Sequence, residues 1–129
     1  MIYVLDTHAL VWHLMNSPRL GQQARQIVAD ASAVLVVPSI TLAEARFLSM
    51  RGRIPLAWED VVELLDEDAR CEVHPLDRDV VERLPVGLNI HDAIICATAL
   101  LCRETLGEDV CVITRDGQII ASGLVETVW

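Results

Sequence analysis

Four acidic side chains in this sequence are placed where they could share a metal ion: Asp6, Glu44, Asp92 and Asp116. Asp6 follows an apolar run over residues 1–5, and Asp116 follows a second apolar run over residues 110–114. Side chains just past the carboxyl ends of parallel strands face the crevice where ligands bind. Carboxylates gathered there would repel one another strongly unless cations lay among them. Oxygen donors suit Mg²⁺, so these residue types point to divalent-metal chemistry.

Glu44 has an unusual place on its predicted helix, close to the apolar stripe formed by Ile40, Ala43, Phe47 and Leu48. Its carboxylate is expected to project from the buried face of the helix or from the edge of that face. A charge there is costly unless it is paired or coordinated. The nearby arginines lie elsewhere around the helix, and no basic residue follows at the i+4 position. A metal ion is the simplest way to satisfy this carboxylate.

The other three acids each have an ordinary structural explanation as well. Asp6 could cap the helix that follows it. Asp92 lies three residues after Asn89, in a first helical turn, where the helix dipole favours a carboxylate. Asp116 and Gly117 form a common turn dipeptide. Right-handed crossovers between parallel strands would nevertheless bring all the acids to one rim of the sheet.

The elements that must position these acids alternate between strand and helix. Apolar runs predict strands over residues 1–5, 33–37, 71–75, 110–114 and 124–128, the last at a sheet edge. Helical spacing predicts helices over residues 9–15, 20–31, 40–50, 56–67, 77–84 and 90–106. Ser39 and Asn89 are predicted N-caps, and Gly52 ends the helix that Ser39 begins. This order predicts a single α/β domain over residues 1–129, with a parallel sheet wrapped by helices.

Composition excludes several classes of protein. Apolar residues make up 53% of the 129 residues and charged residues 22%, which excludes disordered and fibrous chains. No apolar run approaches the roughly 20 residues that span a bilayer, and no secretory signal precedes the first strand. The four cysteines show no CxxC pairing. They are expected to be reduced thiols of a cytoplasmic protein, and neither disulfides nor zinc ligands.

The charge of the chain is strongly negative. Its formal net charge of −9 argues against a general nucleic-acid binder and favours a cation site or a basic partner. All ten basic residues are arginines, and Arg46, Arg51 and Arg53 lie close together in the sequence. They could form a local positive patch that meets phosphate. Arg115, beside Asp116, is a further candidate for a phosphate contact, although an exposed turn arginine explains it equally well.

Four motifs resemble those of PIN-domain ribonucleases, and specifically of the VapC toxins of type II toxin–antitoxin systems. They are VLDTHALVW (residues 4–12), PSITLAEARFL (38–48), HDAIICATAL (91–100) and VITRDG (112–117). The resemblance implies a parallel five-stranded sheet, Mg²⁺- or Mn²⁺-dependent RNA cleavage, homodimerisation and inhibition by a small VapB-like antitoxin. It places the acids of the family on Asp6, Glu44, Asp92 and Asp116, and its supporting hydroxyls on Thr7 and Thr114.

The sequence departs from this family at two places. Many relatives carry an Asp-Pro-x-Asp-Arg pattern around the third acid, whereas this chain has Asn89-Ile-His-Asp92-Ala. The missing basic residue after Asp92 puts an RNA contact at that position in doubt. The connection over residues 102–109 is also longer than usual. The complete set of acids argues against a degenerate, inactive copy.

We therefore predict a mechanism in which Asp6, Asp92 and Asp116 hold the metal and Glu44 orients a water or a second ion. Thr7 and Thr114 would position carboxylates or water. In-line attack of water on phosphorus would leave a 5′-phosphate and a 3′-hydroxyl. A phosphatase of the haloacid dehalogenase type needs a second Asp where this chain has His8. A non-catalytic α/β interaction module remains as the alternative, but it would not explain Glu44.

Overall fold

A five-stranded parallel sheet organises the computed structural model, which describes residues 1–129. Its strands are β1 (Ile2–Leu5), β2 (Val34–Pro38), β3 (Cys71–His74), β4 (Val110–Ile113) and β5 (Glu126–Val128). All pairings are parallel, and the strand order is β3-β2-β1-β4-β5. The predicted parallel sheet is confirmed, and the last strand does lie at an edge.

Seven helices connect and cover the strands. They are α1 (Thr7–Leu14), α2 (Gln22–Ala29), α3 (Ser39–Met50), α4 (Trp58–Glu67), α5 (Arg78–Val81), α6 (Ile90–Leu106) and α7 (Gly117–Ser122). The observed α6 has the predicted bounds because both of its ends are specified by sequence. The Asn89 side chain accepts a hydrogen bond from the Asp92 N–H at its start, and Gly107 adopts a left-handed φ of 64° at its end. None of the helices is both long and apolar enough to cross a membrane.

The core lies on both faces of the sheet. Successive side chains of a strand point to opposite faces, so each strand contributes to both parts of the core. Leu5, Leu35 and Ile113 point to the face that α1 and α2 cover. Val4 and Val112 point to the opposite face, where α6 packs. Because both faces are covered, the central strands can be apolar at successive positions, as their sequences are. The register pairs Leu5 with Ile113, and this brings the residues that follow β1 and β4 side by side.

Two predictions about helix ends are wrong. Ser39 is the first residue of α3 and not its N-cap, which is Pro38. The Ser39 hydroxyl instead accepts a hydrogen bond from the Leu76 N–H at 3.0 Å, which ties α3 to the segment after β3. The helix predicted over residues 77–84 is only the single turn α5. The chain then continues in turns, because residue 84 precedes a proline and the α conformation is disfavoured there.

The cysteines are free thiols, as predicted. Cys96, Cys102 and Cys111 are buried, and Cys71 is partly buried. Burial, together with smaller contributions from the nearby carboxylates of Asp92 and Asp116, raises the pKa of the Cys96 thiol to about 11. These cysteines are therefore protonated near neutral pH and serve as small apolar side chains of the core.

Candidate active site

The four acids converge on one open pocket of about 670 Å³ at the carboxyl edge of the sheet. We call it the acidic pocket. Besides the acids, its lining includes Thr7, His8, Asn89, His91 and Arg115, and only two of its lining residues are hydrophobic. Asp6 follows β1, Glu44 lies on α3, Asp92 lies in the first turn of α6, and Asp116 precedes α7. Four separate segments of the chain therefore contribute one carboxylate each.

Asp6 is the most buried of the acids, with 6% of its surface exposed. One of its carboxylate oxygens accepts a hydrogen bond from the Ala9 N–H at 2.8 Å and so caps α1. The other oxygen accepts a hydrogen bond from the Thr114 hydroxyl. The structural role considered for Asp6 is thus real, but it coexists with a place in the acidic pocket. Both contacts fix the direction in which the carboxylate points.

Thr114 connects two of the acids, because its hydroxyl oxygen also accepts a hydrogen bond from the Asp116 N–H at 3.0 Å. Asp116 in turn caps α7, since its Oδ1 accepts from Gln118 N–H at 2.8 Å and from Ile119 N–H at 3.1 Å. The second predicted hydroxyl, Thr7, is buried and lines the pocket. The strand end and the helix caps therefore fix the backbone around this part of the site.

Asp92 is oriented by Asn89, the N-cap of α6. The Asn89 amide nitrogen donates a hydrogen bond to Asp92 Oδ2 at 2.9 Å, and Asn89 Oδ1 accepts from the Asp92 N–H at 2.9 Å. The departure from the family pattern at residues 89–93 thus leaves an amide side chain beside the third acid. This reciprocal pair fixes the carboxylate at the mouth of the pocket without neutralising its charge.

Glu44 has a partner that the sequence did not predict. His91 Nδ1 lies 3.2 Å from Glu44 Oε1, and 33% of the Glu44 side chain is exposed. Of the two positions expected for Glu44, the buried face is wrong, because the buried residues of α3 are Thr41 and Ala45, whereas the edge of that face agrees with its half-buried side chain. The position of His91 next to Asp92 in the sequence was a signal that His91 would reach the site. Its pairing with Glu44 could not be anticipated, since the two residues lie on different helices.

The electrostatics of the acidic pocket are unbalanced. Burial raises the pKa of Asp6, and the hydrogen bond from Thr114 only partly opposes this effect. Burial also raises the pKa of Asp92, and the negative charges of Asp116, Glu44 and Asp6 add to the shift. The neighbouring carboxylates therefore make Asp6 and Asp92 harder to ionise, as expected for like charges that share a site. A cation in the pocket would remove this penalty.

The donor set fits a hard divalent ion. All four acids offer oxygen, and the open pocket leaves room for the waters that Mg²⁺ usually retains. No three of these acids bring ligand atoms within 4.8 Å of one another. Repulsion among uncompensated carboxylates favours such spacing, and bridging waters would complete the coordination of an ion. Asp6, Asp92 and Asp116 are the residues that would hold it.

A different cluster, formed by His13, Asp68 and Cys71, does bring its potential ligand atoms within 4.8 Å. It lies where β3 begins, at the opposite edge of the sheet from the acidic pocket. Both Asp68 oxygens accept hydrogen bonds from the Arg70 guanidinium, at 2.8 and 2.9 Å. These bonds hold the pKa of Asp68 well below its usual value. The charge of Asp68 is thus already balanced, and the cluster is a structural ion pair.

An apolar groove of about 540 Å³ adjoins the acidic pocket, and the two share Thr7, His8, Glu44 and His91. The remaining lining of the groove comes from Ile40, Ala43, Phe47 and Leu48. These are the residues of the stripe predicted to face the core, and Phe47 is in fact 53% exposed. The stripe therefore forms a surface that another molecule can contact.

The arginines predicted to bind RNA are separated in space. Arg115 lines the acidic pocket. Arg46, Arg51 and Arg53 are exposed and lie outside the pocket, on α3 and the turn after it. The Arg46 guanidinium lies 4.9 Å from the centre of the Trp58 ring, and that of Arg51 lies 4.2 Å from the centre of the Phe47 ring. Arg51 thus lies beside the apolar groove, and the positive patch formed with Arg46 and Arg53 stays a prediction.

Residues 3–121 of the chain match the family model of the PIN domain. No curated protein sequence matches the chain. Among solved structures, VapBC2 from Rickettsia felis bound to a DNA fragment from its promoter is similar, with a TM-score of 0.68, 15% identity and coverage of 100% of this chain and 99% of the other.

Two further solved structures have the same fold. A toxin–antitoxin complex from Klebsiella pneumoniae has a TM-score of 0.68 and 22% identity, with coverage of 98% of this chain and 96% of the other. VapBC-1 from nontypeable Haemophilus influenzae has a TM-score of 0.65 and 18% identity, with coverage of 99% and 97%. Identities this low establish the likeness of the fold alone.

Proposed function

Because this chain belongs to the PIN domain family, we propose that it is a Mg²⁺- or Mn²⁺-dependent endoribonuclease that acts as the toxin of a toxin–antitoxin pair. The observation that carries this proposal is the meeting of four carboxylates, from four separate segments, in one polar pocket. The proposal treats residues 1–129 as one PIN-like ribonuclease domain.

In the proposed mechanism, Asp6, Asp92 and Asp116 hold the ion. A divalent ion in the pocket supplies the charge that activates water and stabilises negative charge on the phosphodiester. Thr114 keeps the Asp6 carboxylate directed into the pocket through the hydrogen bond between them, and Thr7 lines the same wall. The protein itself then needs no nucleophilic side chain.

Glu44 orients the attacking water, and His91 at 3.2 Å fixes the direction of its carboxylate. The water oxygen forms the new bond to phosphorus while the bond from phosphorus to the 3′-oxygen breaks. The proton lost by water passes to a base in the pocket, and the leaving oxygen is protonated by solvent. The products are a 5′-phosphate and a 3′-hydroxyl. Arg115, with Arg46, Arg51 and Arg53, contacts the phosphates of the strand.

The proposed protein partner is a small VapB-like antitoxin. The similar structures are described as VapBC or toxin–antitoxin complexes. A partner that covers the apolar groove and brings positive charge to the acidic pocket would match the two adjoining surfaces. A homodimeric assembly and a cytoplasmic location complete the proposal, and both derive from the resemblance to VapC toxins.

An RNA-cleavage assay of the wild type and of Asp6→Ala tests the proposal, with Mg²⁺, Mn²⁺ or a chelator in parallel. We expect cleavage only for the wild type and only with metal, with 5′-phosphate ends on the products. A non-catalytic interaction module would be indifferent to metal. Cleavage that persists in Asp6→Ala, or in the presence of chelator, would contradict the proposed site.

A further inference from the structure

Arg115 is a cation without a carboxylate partner, although it lies at the rim of the acidic pocket. It directly precedes Asp116 and lines the pocket together with Asp6 and Asp92. The ion pairs of the protein all involve other residues. In a chain with a net charge of −9, an arginine beside several acids would be expected to pair with one of them. Something other than charge must therefore decide where this guanidinium lies.

Cation–π contacts with two tryptophan rings hold the Arg115 guanidinium in place. The Arg115 Cζ lies 4.6 Å from the centre of the Trp12 ring and 5.7 Å from the centre of the Trp129 ring. The two rings meet edge to face, with their centres 5.5 Å apart and an interplanar angle of 66°. An arginine stacked on indole faces keeps its N–H groups free around its edge. Those donors remain available to a ligand in the pocket.

The two rings, which we call the tryptophan seat, are themselves fixed by the fold. Trp12 lies on α1 and is 7% exposed. Trp129 follows β5, and its ring and backbone lie so close to Gly21 that a Cβ at position 21 would collide with them. A hydrogen bond of 3.1 Å from the Thr114 N–H to the Val128 carbonyl joins this end of the chain to the residue just before Arg115.

We propose that the tryptophan seat holds Arg115 over the acidic pocket as a preorganised contact for a phosphate of the RNA strand. Trp129 is then a positioning residue that acts through Arg115. This inference rests on the proposed function and adds to it a residue that none of the sequence motifs contains. Preorganisation matters because a free arginine side chain loses much rotamer freedom when it binds phosphate. An arginine that is already fixed by the tryptophan seat loses less on binding, so it binds phosphate more tightly.

The test compares Arg115→Ala, Trp129→Ala, Trp129→Phe and the double variant Arg115→Ala/Trp129→Ala. KM and kcat are measured for cleavage of a short single-stranded RNA. RNA affinity is measured by fluorescence anisotropy at several salt concentrations, with each variant also carrying Asp6→Asn so that the strand is not cut. Val125→Ala, which removes packing from the other side of the sheet near the same end of the chain, is the control for general destabilisation.

We expect Arg115→Ala to raise KM and weaken RNA binding about tenfold, with a salt slope lower by about one. Trp129→Ala should weaken binding about three- to fivefold with kcat little changed, and Trp129→Phe should restore most of the loss. The double variant should bind no more weakly than Arg115→Ala alone.

Four results would overturn the inference. If Trp129→Ala keeps full affinity, or if its effect adds to that of Arg115→Ala, the seat does not act through Arg115 while the nuclease proposal stands. If Val125→Ala weakens binding equally, the effect is one of general stability. If the wild type neither binds nor cuts RNA with any metal, the proposed function fails and the inference fails with it.

Discussion

The edge of the sheet at which the strands begin and the edge at which they end each carry a group of partly buried charged side chains. The two groups differ in how their charge is balanced. At the edge where β3 begins, Asp68 accepts two hydrogen bonds from the Arg70 guanidinium, which also donates to the Val28 and Asp30 carbonyls. At the edge where β1 and β4 end, Asp6 and Asp92 have acidic neighbours instead. The pKa of Asp68 is lowered by its partner, whereas burial raises the pKa values of Asp6 and Asp92.

The difference is the basis for assigning a structural role to the first group and for proposing a functional role for the second. An ion pair that is complete within the chain stabilises the fold and has no need of a ligand. A group of acids without compensation costs stability until a cation binds, and such perturbed groups concentrate at functional sites. Proximity alone would rank the two groups the other way, because it is Asp68 that lies within 4.8 Å of other potential ligands. Charge balance therefore supports the proposal that the acidic pocket is the functional site, whereas proximity of ligand atoms would favour the other group.

Asp6→Asn should have the largest effect on activity and a small effect on stability. The amide oxygen can still cap α1 at Ala9 N–H, but the charge that holds the ion is lost. We expect cleavage to fall by more than the roughly 10- to 100-fold that loss of a supporting partner causes. Steady-state cleavage kinetics and thermal melts measure the two effects. A variant that keeps wild-type kcat would show that Asp6 only caps the helix.

Arg70→Ala should have the opposite effects, with a large loss of stability and little change in activity. It leaves the Asp68 charge partly buried without its partner, and we expect a loss of about 2–3 kcal/mol in the free energy of unfolding. Cleavage per folded molecule should stay at the wild-type rate, because the pair lies at the other edge of the sheet. Urea unfolding and cleavage assays below the melting temperature check both statements. A loss of activity without a loss of stability would contradict the purely structural role assigned to the Asp68–Arg70 pair.

Thr114→Val should lower kcat about 10- to 100-fold by removing the hydroxyl that binds both Asp6 and the Asp116 backbone. The shape of the buried side chain is kept, so packing changes little. Thr114→Ser is the matched control, because it retains the hydroxyl, and it should retain most of the activity. Equal losses in the two variants would point to packing and away from the hydrogen bonds.

Asp92→Asn should abolish cleavage and yet raise the Tm of the ion-free protein by about 2–4 °C at neutral pH. The folded protein raises the pKa of Asp92 above its ordinary value of 3.8, so the ionised form costs stability. This cost is absent below pH 3.8 and is fully present above the raised pKa. The Tm advantage of the variant should therefore vanish as the pH falls, and melts across this range measure it. An unchanged or lower Tm at neutral pH would show that the ionised Asp92 carboxylate does not destabilise the ion-free protein.

The fold could be predicted because its signals are local. Apolar runs marked the central strands, and Asn89 and a terminal glycine marked both ends of α6. The acidic pocket could also be anticipated, because parallel strands bring their carboxyl ends to one edge. The roles assigned to its residues remain predictions. The stripe on α3 could not be placed, because helical spacing shows which residues share a face but not what covers that face.

What escaped prediction depends on contacts between distant segments. His91 reaches Glu44 from another helix, and Trp129, which follows β5, reaches Trp12 on α1 and Arg115 after β4. Neither contact leaves a pattern of spacing in the sequence. The misplaced cap at Ser39 has the same cause, since its hydroxyl is used by the Leu76 N–H after β3. Long-range polar and aromatic contacts are thus the part of this site that only the structure supplies.

Calorimetric titration of the ion-free protein with Mn²⁺ tests the central claim most directly. The wild type and Asp68→Asn should bind Mn²⁺ alike and gain Tm as the concentration rises, whereas Asp6→Asn and Asp92→Asn should lose at least about tenfold in affinity. Absence of binding by the wild type at millimolar Mn²⁺, or loss of binding in Asp68→Asn alone, would contradict the assignment of the ion to the acidic pocket.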